Sequence, residues 1–120
     1  MQEQIISFEI AILAKEKGFN TEFASYYNIL GELLNDIDFP SLHPTKPKYW
    51  YSAPTQSLLQ KWLREEYNIS ISVITHYPNI QNYAVYKTID PFVEFTSKNR
   101  IIGTYEEALE KGLHEALLLI

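Results

Sequence analysis

Three histidines, His43, His76 and His114, are the side chains best suited to metal binding or proton transfer, and they fall in three different kinds of segment. No H-x-x-x-H or comparable ligand spacing joins any two of them. The acidic pairs Glu65-Glu66 and Glu106-Glu107 sit at adjacent positions, which point to different sides of a helix and do not converge as an acid/base dyad must. There is no G-x-S-x-G elbow and no glycine-rich phosphate loop; the four glycines, Gly18, Gly31, Gly103 and Gly112, all have structural readings. With no cysteine, disulfides, thiolate metal sites and a cysteine nucleophile are excluded together. Ser52 and Thr55 lie beside a helix start, where capping is the commoner use than anion binding. The expectation is therefore no catalytic residue, no metal and no cofactor, with a small enzyme of unrecognised type as the last alternative.

What the sequence offers instead is surface chemistry. Lys48, Tyr49, Trp50 and Tyr51 follow a proline-rich stretch and bring one cation beside three aromatic rings, a composition suited to protein binding. A second set, Gln60, Lys61 and Arg64, shares one side of a helix and could face a nucleic acid duplex. The net charge is −5 and uneven: Met1 to Asp38 holds seven acids against two lysines, while Phe39 to Arg64 holds four cations and no acid. Overall acidity opposes sequence-independent attraction to phosphate backbones and favours a protein partner.

Residues 7–17 read as a short amphipathic helix with Ser7 as N-cap, Phe8, Ala11 and Ile12 on one face, Gly18 as its stop and Phe19 folding back onto it. Pro54 suits the first position of a second helix over 54–67, with Leu58, Leu59, Trp62 and Leu63 as its buried stripe. Alternation of Ile69, Ile71 and Val73, then YAVYKTI, predicts a hairpin over 69–77 and 83–89; FVEFTSKNR adds a short edge strand. Thr104 and Glu107 have capping-box spacing and open a third helix to 119, with Tyr105, Leu109, Gly112, Leu113, Ala116 and Ile120 on one face. Gly112 on that face costs about 1 kcal/mol of helix propensity, which close approach to another element could offset. Leu118 falls on the opposite side, at a fraying end or in a subunit contact. Residues 39–53, with three prolines, exclude a regular helix and end in a short strand near Tyr49 to Tyr51. These elements predict an α+β fold: one domain over 1–120, a small antiparallel sheet with about three helices packed on it.

Residues 20–38 carry two readings. Phe23, Tyr26, Tyr27, Leu30, Leu33, Leu34 and Ile37 follow helical spacing, whereas Gly31 and the FASYYN run favour a hairpin turning around Asn28 to Gly31. The blocks LAKEKGF (13–19), APTQSLLQKWLRE (53–65) and TYEEALEKGLHEALLLI (104–120), about a third of the chain, are similar to a group of small uncharacterised proteins from bacterial genomes and their prophages. The resemblance implies a phage or mobile-element context and a hairpin near 23–36, and it carries no functional residue across.

The N-terminal stretch has acids through its apolar part, unlike a signal peptide, and no apolar run approaches the roughly 20 residues of a membrane helix. A soluble, cytoplasmic protein with no membrane partner is expected. The leading functional expectation is a non-enzymatic protein-binding or accessory module using Lys48 to Tyr51. Its alternative is a winged-helix type nucleic-acid-binding regulator using Gln60, Lys61 and Arg64.

Overall fold

A computed structural model describes residues 4–19, 25–35, 51–89 and 92–120. They form three helices and two three-stranded antiparallel sheets, an α+β fold with two small sheets in place of the single one expected. The chain divides into two compact units, Ile5–Pro54 and Thr55–Ile120, the latter joined by Met1–Gln4.

In the unit Ile5–Pro54, helix α1 (Phe8–Glu16) starts where the Ser7 side chain accepts from Ile10 N, 3.3 Å, and carries Glu9 in its first turn and Lys15 in its last. It ends in a Schellman motif: Phe19 N donates to Ala14 O and Gly18 N to Lys15 O, with Gly18 at φ 98°. Phe19 is buried as expected. The buried face is Ile10, Ala11 and Ala14; Phe8 and Ile12 are only half-buried, a correction to the predicted stripe. Phe8 lies instead against Tyr27 and Tyr51, ring centroids 5.4 and 5.7 Å away.

Strands β1 (Ser25–Tyr27), β2 (Leu33–Asn35) and β3 (Tyr51–Ser52) assemble in the order β2-β1-β3. The hairpin reading of this region holds over 25–35, and helical spacing misleads. Asn28 explains why: its Oδ1 accepts from Leu30 N and Glu32 N, both 3.0 Å, holding a turn that Gly31 completes at φ 81°. Tyr26 is buried between Leu34 and Ser52, and the Tyr27 hydroxyl donates to Ile6 O at 2.6 Å.

In the unit from Thr55, helix α2 (Gln56–Tyr67) begins two residues later than the sequence suggests. Thr55 is the N-cap, accepting from Leu58 N at 3.3 Å, so Pro54 precedes the cap and does not occupy the first helical position. The buried stripe is rotated too: Gln56, Leu59 and Leu63 are buried, Leu58 is exposed, and Trp62 is half-buried against Tyr67. Gln56 can occupy the core because its Nε2 donates to Glu106 O and Glu110 Oε2, 2.9 and 2.8 Å.

Strands β4 (Ile69–His76), β5 (Ile80–Ile89) and β6 (Phe92–Ile102) form a meander in that order. The reversal after β4 takes only Tyr77, Pro78 and Asn79, with a cis Tyr77-Pro78 peptide, so β5 starts at Ile80 and not at 83. Gln81 joins the ladder because its amide finds Thr75 Oγ1 and Gly103 O. β6 is an 11-residue strand, longer than the short edge predicted, with a register step at Val85/Tyr86.

Helix α3 (Tyr105–Leu117) is capped as expected, Thr104 Oγ1 accepting from Glu107 N at 3.1 Å. Its buried residues are Ala108, Leu109, Gly112, Leu113, Ala116 and Leu117; Tyr105 is exposed and Ile120 half-buried, so the predicted stripe turns toward Ala108 and Leu117. The row Ala108, Gly112, Ala116 is small throughout, which lets the helix backbone approach the sheet. A Cβ on Gly112 would lie 2.6 Å from Ile71 Cγ2, the close approach that the glycine predicts. Leu118 lies just beyond the helix and is exposed.

Candidate functional site

Of the aromatic and basic set Lys48, Tyr49, Trp50 and Tyr51, only Tyr51 lies within the described residues. It stands in β3, half-buried, with Phe8 on one side and Lys15 Nζ 4.9 Å from its ring centroid. Tyr51 is thus part of the packing around Phe8. In the second set, Gln60 Nε2 donates to Ile71 O at 2.9 Å, and Lys61 Nζ lies 3.8 Å from Glu65 Oε1 one turn on. Arg64 is exposed in the last turn of α2. Ser25–Tyr27 and Leu33–Asn35, as strands, supply no helix of the kind that precedes a winged-helix recognition helix.

Two of the three histidines lie within the described residues. His76 ends β4, His114 is in α3 and His43 lies outside the described residues; no group of three or more metal-ligating side chains occurs among the described ones. Among the described residues the one strongly perturbed titratable group is Tyr83, buried on β5 with its hydroxyl donating to Glu115 Oε1 at 3.1 Å. Burial, then the hydrogen bond to the Glu115 carboxylate, pushes its pKa up to about 12. Asn99 Nδ2 also donates to that oxygen, 3.2 Å. A neutral phenol with its proton committed to a carboxylate is a structural strut joining β5 to α3, not a general base. The fold favours the neutral phenol, so its contribution is complete below the unfolded tyrosine value near 10 and is lost as pH rises through about 12. Tyr83→Phe should therefore flatten the loss of stability between those values, measured by urea unfolding at a series of alkaline pH; an unchanged slope would show that the phenol does not carry it.

Sequence reasoning missed the outward face of the meander. Ile74, Asn82 and Arg100 form one rung across the three strands, and His76, Ile80 and Ile102 the next. Arg100 Nε donates to Asn82 Oδ1 at 2.9 Å, so the Asn82 amide nitrogen donates to His76 Nε2, also 2.9 Å, and the imidazole proton sits on Nδ1. This row holds the guanidinium over the sheet, and its two terminal nitrogens have no partner among the described residues. On the same face, Ile74 and Ile102 are 59 and 77% exposed. Lys98 and Arg100 are exposed, and neither has an acidic partner among the described residues. The signal that could have found this face is the alternation Lys98, Arg100, Ile102, once β6 is extended to its full length.

The two edges of the sheet differ. Thr88 N donates to Asn68 O, which fixes the ladder parity: Ile69, Ile71 and Val73 turn their amides and carbonyls away from β5, and Gln60 occupies the Ile71 carbonyl. On the other side Gly103 N donates to Asn79 O, so Lys98, Arg100 and Ile102 turn their backbone groups outward from β6. Those groups have no partner among the described residues.

Compared with known proteins, the chain matches no family model, no curated protein and no solved structure. No helix among the described residues is long and apolar enough to cross a membrane.

Proposed function

We propose that the protein is a non-enzymatic protein-binding or accessory module of a phage or mobile element, and that it engages an acidic partner protein through the outward face of the β4-β5-β6 sheet. The observation that carries the reading is the grouping of exposed Ile74 and Ile102 with Lys98 and the fixed Arg100 on one face of the sheet. Apolar side chains beside an arginine are a composition of protein interfaces, and arginine is among the residues that dominate their binding energy. Two cations without described acidic partners, in a chain of net charge −5, complement a negatively charged surface. The resemblance to prophage proteins supports the biological setting.

The test is affinity capture of the tagged protein from host lysate, with and without nuclease, beside the variant Ile74→Ser/Ile102→Ser. Both side chains are exposed, so the variant keeps its circular dichroism spectrum. Nuclease-resistant capture that drops at least about tenfold in the variant is expected. Capture abolished by nuclease, or undiminished in the variant, overturns the reading and directs attention to Lys61 and Arg64.

A further inference from the structure

The β6 edge, unpaired among the described residues, narrows the partner further. We infer that the partner contributes an extended segment alternating acidic and apolar residues, which adds to β6 as a fourth strand beside Lys98, Arg100 and Ile102. This rests on the reading of the outward face as a protein-binding surface and specifies how that surface is used.

Three observations carry it. First, the outward-turned amides and carbonyls of Lys98, Arg100 and Ile102 are a row of donors and acceptors to which a strand can pair, the mode by which sheets accept extended peptides. Charged side chains usually guard such an edge. Here the Arg100 guanidinium is drawn inward over β5 by Asn82, so that among the described residues Lys98 is the remaining charged side chain beside these groups.

Second, the side chains bordering that edge differ by face. Lys98 and Arg100 lie on the outward face and half-buried Ile101 on the opposite one. A strand laid alongside places alternate residues on each face, so carboxylates meet the two cations and apolar side chains meet Ile101. With Nε committed to Asn82, the two terminal nitrogens of Arg100 remain for a bidentate carboxylate.

Third, a second copy of this chain is a poor occupant. Antiparallel pairing of this end of β6 with itself sets the Lys98 and Arg100 side chains of the two copies opposite or diagonal to one another, and like charges so placed repel. The other edge is interrupted by Gln60 on the Ile71 carbonyl.

The experiment is amide hydrogen exchange and titration by NMR of the whole protein with four probes. They are a short acetylated peptide alternating Glu and Val, its Gln-Val counterpart, an N-methylated Glu-Val peptide that keeps the carboxylates but cannot donate backbone hydrogen bonds, and a short DNA duplex. The Glu-Val peptide should slow exchange of the Lys98, Arg100 and Ile102 amides. The Gln-Val peptide should bind about tenfold more weakly, and Arg100→Gln should remove most of that difference. The N-methylated peptide should give no protection. Equal binding of the N-methylated peptide, or of the Gln-Val peptide, overturns this inference and leaves the protein-binding reading standing. Protection by no peptide overturns the inference as well. Perturbation of Arg100 by duplex alone overturns both.

Discussion

Leu113→Ala is expected to lower the unfolding free energy of the unit from Thr55 by about 3 kcal/mol, within the range for truncating a buried leucine to alanine. Leu113 has no exposed surface and belongs, with Ala108, Leu109, Ala116 and Leu117, to the buried side of α3, a helix that packs on β4, β5 and α2. The cost has two parts, the lost transfer of apolar surface from water and the cavity left behind. The cavity should persist because Ala108 and Ala116 are too small to fill it and Leu109 and Leu117 are already buried on the same helix. Urea unfolding followed by circular dichroism measures the effect. A change below about 1 kcal/mol would mean that the helix repacks freely on the sheet, contrary to the close packing described above.

Gly112→Ala should also destabilise, by about 2 kcal/mol, although alanine is the better helix former by about 1 kcal/mol. The sign follows from the 2.6 Å separation between an added Cβ and Ile71 Cγ2. Neither partner can yield cheaply. The Cβ is fixed to the helix backbone, and Ile71 is β-branched with a stiff χ1, held in β4 and buried. Relief requires moving α3 off the sheet, which loosens contacts along the whole small-residue row. The direct check is a double-mutant cycle with Ile71→Ala, which removes Cγ2. The pair should be less destabilised than the sum of the single changes by at least about 1 kcal/mol. Additive effects would show that the clash is not the cause.

Much of this architecture can be read from local chemistry. Ser7, Gly18 and Phe19 mark the two ends of α1; Thr104 starts α3; Ile69, Ile71 and Val73 declare β4; Gly112 announces a close approach. These signals succeed because the cause lies within a few residues of the effect. The failures lie where a partner distant in sequence decides. Gln56 reads as polar and exposed, yet Glu106 and Glu110 supply the acceptors that let it be buried, and the face of α2 turns with it. Gln60 reads as a free surface amide, yet a carbonyl of β4 claims it. The candidate face on the meander was illegible for the same reason: Asn82 and Arg100 are 18 positions apart, and only the β5-β6 register brings them together. Helical spacing over 20–38 failed differently, since the Asn28 side chain closes a turn that periodicity does not see.

The Gln60 amide on the Ile71 carbonyl also bears on how copies of this chain behave when crowded together. Fibrous edge-to-edge growth needs every copy to offer two pairable edges, so that each new arrival presents a fresh template. Here the β4 edge is interrupted by a side chain of the same unit, and a strand arriving there must first displace it. Pairing through β6 alone therefore terminates after one addition. A single glutamine makes the sheet an end point for assembly and not a repeating link.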